Sequence, residues 1–194
     1  MKNHIHIARG FTLIELMVSI ALVAVLMMVA VPSLTTFQRN AELTSFSNTL
    51  LASINAARGE AMKRGRYAMV VPADGTNWSS GWVVFIDIDR SQAYESANDV
   101  SILTRGALPS YLEIPTPTGT ANESPPYLMF DASGYSKNKA GGFGAVTFQI
   151  RRNDVSGTEQ LQQTRRVKIA STGRVRVCTP VSSTDTLCST TSTF

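Results

Sequence analysis

Between positions 11 and 31 the chain runs for 21 residues with only Thr12, Glu15 and Ser19 as polar members. A helix of that length rises about 32 Å, enough to cross a hydrocarbon core of roughly 30 Å. A polar leader, residues 1–10, precedes the run and carries Lys2 and Arg9. Positive charge there holds the N-terminus in the cytoplasm and sends the rest of the chain across the membrane. A cleaved secretory signal is the competing reading. The run exceeds the roughly 7–15-residue apolar stretch of such signals, and Met28-Val29-Ala30 makes a poor small-x-small cleavage site. Glu15 is costly in this setting, because a carboxylate at a membrane-helix centre is unfavourable by about 2.5–3.5 kcal/mol, less near an end. It needs a partner. Beyond residue 31 the chain is polar and rich in Ser, Thr and Gly, so a membrane-length segment is attached to an ordinary soluble domain.

The segment Gly10-Phe11-Thr12-Leu13-Ile14-Glu15-Leu16 resembles the class III signal of type IV pilins and type II secretion pseudopilins. The resemblance implies cleavage by a prepilin peptidase between Gly10 and Phe11, and N-methylation of Phe11. It also supplies the partner of Glu15, the N-terminal amine of a neighbouring subunit during assembly. Pro32 matches the proline that breaks the family's helix after its membrane half. The implied organisation is a leader at 1–10, an assembly and transmembrane helix at 11–31, and a periplasmic or extracellular pilin domain at 32–194. The implied location is the bacterial inner membrane, single-pass, and then the pilus, at or near its tip, in contact with major and minor pilin subunits.

Cleavage would remove Lys2, Arg9, His4 and His6, leaving 16 basic against 14 acidic residues and no histidine. Ser-His-Asp and Cys-His catalysis and histidine-based metal sites are thereby excluded; the reading is a non-enzyme without cofactor. Cys178 and Cys188 enclose nine residues of a Ser/Thr-rich tail, and an oxidising compartment favours a disulfide between them.

Leu43, Phe46, Leu50, Ile54, Ala57 and Ala61 recur at spacings of three and four, one apolar stripe on a helix that Gly65 is placed to stop. Short strand-like runs follow at 67–71, 82–87, 102–108, 127–130, 145–151, 165–170 and 174–178, and the five prolines within 109–126 mark a loop. One long N-terminal helix followed by antiparallel strands is an α+β class, which the resemblance narrows to the type IV pilin fold. Gly81-Trp82-Val83-Val84-Phe85-Ile86-Asp87, then Asp89 and Arg105-Gly106-Ala107-Leu108-Pro109, resemble the FimT/GspH branch of minor pilins and pseudopilins.

Asp87, Asp89 and Asp99 raise a calcium reading. The loop lacks the glycine at the sixth position and the glutamate at the twelfth that a twelve-residue calcium loop uses, having Gln92 and Asn98 there. The expectation is a strand ending in a solvated acidic loop, with no metal.

Charge is segregated. Eight acids against two arginines lie between Asp74 and Asp131, whereas seven basic residues against three acids lie from Arg151 onward. Within the basic part, Arg165-Arg166-Val167-Lys168-Ile169-Ala170 and Arg174-Val175-Arg176-Val177-Cys178 flank Ser171-Thr172-Gly173, a hairpin pattern. A three-residue loop sets Ala170 opposite Arg174, Lys168 opposite Arg176 and Arg166 opposite Cys178. Alternation turns Val167, Ile169, Val175 and Val177 to the core and Arg166, Lys168, Arg174 and Arg176 to the other face. Like charges opposite one another oppose folding, and an external polyanion would relieve them. Arg174 and Arg176 stand about 6.7 Å apart along a strand, a spacing able to grip phosphates of one DNA backbone without reading sequence.

Gly173-Arg174-Val175-Arg176 also resembles the Gly-Arg-x-Arg element of DNA-binding FimT-type minor pilins. The implied function is capture of double-stranded DNA in natural transformation, with Arg174 and Arg176 as primary contacts, Arg166 and Lys168 in support, and Lys137 and Lys139 extending the patch. A GspH-type pseudopilin of type II secretion is the alternative. A third is a pilus-assembly or adhesion pilin, for which Trp78 or Tyr135 would supply an exposed patch.

Overall fold

A computed structural model describes residues 11–191. The chain divides into two compact units, Met1–Ala41 and Glu42–Phe194. A long helix, α1 (Leu13–Arg64), contributes to both.

In the first unit Thr12 and Glu15 close a capping box at the start of α1. The Glu15 N–H donates to Thr12 Oγ1 at 3.2 Å, and Glu15 Oε2 accepts from the Thr12 N–H at 3.3 Å. Orphan donors of the first turn are satisfied reciprocally, so Glu15 has a partner within its own chain. Among the described residues the apolar side chains from Leu13 to Met28 are all exposed, Leu13 by 76%. Among the described residues no single helix is long and apolar enough to cross a membrane. Leu13–Met28 and Ser33–Arg64, a pair bent at the break between them, meet that length and composition together. In sequence Pro32 falls between the two, and proline has no N–H to give a helical bond.

In the second unit Leu43, Leu50, Ile54, Ala57 and Ala61 of α1 are fully buried, as the spacing of three and four requires. The helix ends as expected. Gly65 adopts a left-handed φ of 63°, and the Arg66 N–H donates to the Ala61 carbonyl at 3.2 Å, a bond spanning the last turn.

Among the described residues nine strands form two antiparallel sheets. The first has β1 (Tyr67–Pro72), β2 (Trp82–Asp87), β3 (Val100–Arg105), β5 (Leu128–Phe130) and β6 (Ser136–Lys137), in the order β3-β2-β1-β5-β6. The second has β4 (Leu112–Glu113), β7 (Val146–Arg152), β8 (Thr164–Ile169) and β9 (Val175–Cys178), in the order β4-β7-β8-β9. A short helix, α2 (Gly157–Gln162), joins β7 to β8. The stripe of α1 and the inner faces of both sheets make one core, with Val84, Ile86, Phe130, Phe148, Ile150, Val167 and Ile169 in it.

β2 is buried at all six positions. One face meets that core. On the other, Phe85 joins Met69, Tyr127 and Met129 in a second cluster, with the Tyr94 ring 5.0 Å away. β3 begins two residues earlier than the apolar run suggests and stays largely exposed. Trp78 is core: its Nε1 donates to the Ala121 carbonyl at 2.9 Å, and its ring meets Phe148 edge-on at 4.7 Å. It supplies no adhesive patch.

Candidate functional site

The β8–β9 hairpin has the expected register, pairing Arg166 with Cys178, Val167 with Val177, Lys168 with Arg176 and Ile169 with Val175. The Ala170 N–H donates to the Arg174 carbonyl at 2.9 Å, and the Gly173 N–H to the Ala170 carbonyl at 2.8 Å. Gly173 is buried with φ 78°. A Cβ on it would sit 1.9 Å from the Gly134 carbonyl oxygen and 2.7 Å from Arg58 Nε. Only glycine fits both the φ and the space. Arg58, on α1, donates from Nε to that same Gly134 carbonyl at 2.9 Å, and the Ser136 N–H donates to the Ser171 carbonyl at 3.0 Å. The hairpin turn is therefore docked where α1 and the β5–β6 edge of the first sheet meet. Arg58 was legible only as a residue off the apolar stripe; nothing local in the sequence ties it to the turn.

The other face of the hairpin is covered over its β8 part and open at Arg174. Arg166 and Lys168 are buried, Lys168 completely. The Cys178–Cys188 disulfide folds the C-terminal segment back over them. Arg166 donates from Nη1 to the Cys188 carbonyl and from Nε to Gln149 Oε1 at 3.0 Å. Lys168 Nζ reaches Ser189 Oγ at 3.4 Å, and Arg176 Nη2 reaches the Leu187 carbonyl. Thr147 Oγ1 donates to the Thr191 carbonyl at 3.3 Å. The expectation of four solvent-facing cations is corrected for Arg166 and Lys168. Alternation places them as expected, and the tail then covers them.

Asp185 organises that tail, accepting from the N–H groups of Val181, Leu187 and Cys188 at 3.0, 2.9 and 3.0 Å. These bonds, with the Arg166 charge behind them, hold its carboxyl below the usual range. Burial lowers the pKa of Lys168, and Arg176 and Arg166 lower it further. Burial lowers that of Arg166 as well. The buried cations are thus solvated largely by neutral carbonyls and hydroxyls.

Arg174 is exposed at the turn, and Arg176 is half-buried. Lys137, on β6, lies beside the turn; its Nζ is 3.6 Å from the Phe143 ring and 3.8 Å from Asp131 Oδ2. Tyr135 meets Phe143 edge-on at 5.5 Å, both well exposed. Lys139 instead packs its Nζ over the Tyr127 ring at 4.8 Å and bonds the 91–94 loop through Gln92, away from Arg174's strand. Gly10 lies outside the described residues.

The acidic loop also differs from expectation. Asp89 is exposed and Asp99 half-buried, but Asp87 is 1% exposed. Burial pushes the Asp87 carboxyl up, the Gln92 N–H opposes this, and the Asp99 and Asp89 charges add to the rise.

Comparison with known proteins agrees with this architecture. Residues 47–173 match the family described as Type II transport protein GspH, and residues 6–31 match the prokaryotic N-terminal methylation motif. No curated protein matches. Two crystal structures of the Pseudomonas aeruginosa (strain PAO1) type IV minor pilin FimU resemble the fold. One, in space group P21, has TM-score 0.50 at 19% identity over 73% of this chain and 92% of that one. The other, in P65, has TM-score 0.51 at 18% identity over 70% and 91%. With a methylation motif at its start, a long helix laid on antiparallel sheets, and a family match over well more than half its length, the chain belongs to the GspH family of type IV pilin-like proteins.

Proposed function

We propose that this chain is a FimT-type minor pilin that binds double-stranded DNA without sequence preference for uptake in natural transformation. Arg174 at the hairpin turn makes the primary contact, with Arg176 beside it; Gly173 holds the turn, and Lys137 flanks it. Arg166 and Lys168 act from beneath the tail through their charge. Lys139 faces a different part of the surface and adds little. The observation that carries the reading is the exposed Arg174 at the turn of a hairpin that also carries Arg166, Lys168 and Arg176. An arginine fork there can donate two parallel bonds to a phosphate.

The same reading takes Gly10 and Phe11 as the processing site of a prepilin peptidase and the helix from residue 11 as an inner-membrane anchor before assembly. Glu15 exchanges its bonds to Thr12 for the amine of a neighbouring subunit as the pilus forms.

The test uses the full chain in detergent with labelled duplexes of unrelated sequence across a salt series. The expected result is equal binding to all duplexes. Arg174→Ala with Arg176→Ala should then lower the slope of log affinity against log salt by about 1.8, two phosphate contacts at about 0.9 each. A folded double variant that binds like the parent refutes the reading. Silence of both at low salt favours the alternative, a type II secretion pseudopilin. The burial of Arg166 and Lys168 and membership of a family described as a type II transport protein support that second reading.

A further inference from the structure

We propose that Asp87, Asp89 and Asp99 form a binding site for one hard divalent cation of the calcium class. The proposal stands apart from DNA binding, at the far end of β2. One oxygen from each of the three carboxylates lies within 4.8 Å of the others. Two oxygens that each sit about 2.4 Å from a single calcium ion are at most about 4.8 Å apart, so the three fit around one ion.

The remaining contacts of these carboxylates aim them. Asp87 Oδ2 accepts from the Gln92 N–H at 3.1 Å, and Asp89 Oδ1 from the Ser91 N–H at 3.0 Å. Asp99 accepts from the N–H groups of Ile88 and Glu95, at 3.1 and 2.8 Å. The loop's own amides thus fix the carboxylates side by side.

One oxygen is left over. Asp87 Oδ1 is buried and has no hydrogen-bond partner, on a side chain 1% exposed. A buried carboxylate oxygen without a donor is expensive. Among the described residues no lysine or arginine forms an ion pair with any of the three. A cation in the cluster satisfies that oxygen and offsets the mutual repulsion of three carboxylates. All-oxygen donors without sulfur or imidazole select a hard ion. Calcium tolerates irregular geometry completed by carbonyls and water, whereas magnesium demands a near-ideal octahedron.

The sequence pattern missed this for two local reasons. Gln92 takes up the left-handed φ, 57°, for which a glycine was sought. The distal carboxylate comes from Asp99, one residue beyond the position inspected.

The test uses the full chain in detergent, stripped with EDTA and titrated with calcium chloride by calorimetry, with thermal unfolding followed by tryptophan fluorescence. The expected result is one calcium per chain, a melting temperature several degrees higher with calcium, and a smaller shift with magnesium. Asp89→Asn and Asp99→Asn should each weaken binding at least tenfold. Asp87→Asn should abolish the calcium response while leaving the EDTA-treated protein at least as stable as the parent, because the buried charge is gone. Asp74→Asn, in a separate exposed turn, should bind as the parent does. A folded parent that shows neither heat nor a melting shift up to about 10 mM calcium, above the range of weak extracellular calcium modules, overturns the proposal. So does binding that survives Asp89→Asn and Asp99→Asn together, a pair of variants that does not depend on Asp87→Asn folding.

Discussion

Replacing Gly173 by alanine probes the junction that fixes the hairpin turn. The residue sits at φ 78°, where an L side chain costs about 1–2 kcal/mol. The added methyl would also lie 1.9 Å from the Gly134 carbonyl oxygen. That neighbour is backbone, so no rotamer change relieves the contact and the turn must move away. Moving loosens the Ser136–Ser171 bond and the Arg58–Gly134 bond. A neutral bond of this kind contributes about 0.5–1.5 kcal/mol and a charged one about 1.5–3 kcal/mol. Strain plus partial loss of both bonds gives a destabilisation of about 3–5 kcal/mol.

Two other glycines separate the contributions. Gly157 has φ 61° with nothing within 4 Å of its would-be Cβ, so Gly157→Ala should show strain alone, about 1–2 kcal/mol. Gly59, inside α1 and equally open, should give a protein more stable by about 0.5–1 kcal/mol when changed to alanine. Thermal unfolding of the full chain in detergent, followed by fluorescence, reads the right unit, because Trp78 and Trp82 are both buried in its core. At about 2–4 °C per kcal/mol for a domain of this size, Gly173→Ala should melt about 6–20 °C below the parent. Equal losses for Gly173→Ala and Gly157→Ala would refute the close approach of the turn to Gly134.

Reducing the disulfide, or replacing Cys178 and Cys188 by serine, should release the tail. The closed loop is short, with a sequence separation of 10, and the chain-entropy relation gives about 2.7 kcal/mol for its constraint. Amide exchange across 185–191 should accelerate, and if the DNA reading holds, duplex affinity should rise as Arg166 and Lys168 become accessible; unchanged exchange rejects the tail as a cover. Asp185 makes that cover acid-sensitive. Its carboxyl is lowered in the folded protein, so its contribution is fully present above the ordinary aspartate pKa and is lost as pH falls through the folded value. Protection of the Val181, Leu187 and Cys188 amides should therefore weaken in acid below about pH 4, and Asp185→Asn should flatten that dependence.

The elements legible in the sequence are those whose signal is local and periodic. Val and Arg alternate across Ser171-Thr172-Gly173, which fixes the hairpin's register, and Gly65 closes α1 because its φ requirement is a property of one residue. The cover over Arg166 and Lys168 was not legible. It is built largely from backbone carbonyls of a Ser/Thr-rich tail, groups that every sequence possesses, turned back by the disulfide and braced by Asp185. The burial of Asp87 was hidden for a related reason. Whether a strand end is solvated depends on segments distant in sequence, which the strand's own pattern does not show. Two-residue strands such as β4 and β6 carry too few positions to show a period.

The way the tail covers the basic face has a kinetic consequence. Carbonyls and hydroxyls solvate Arg166 and Lys168, and among the described residues Asp185 lies close to Arg166. Field reaches beyond contact distance, over a Debye length of about 8 Å in physiological salt. An approaching polyanion is therefore attracted by charges that it never touches. On the proposed DNA reading such a surface divides its labour: the buried cations would set how often an encounter occurs, and Arg174, within reach, how long it lasts.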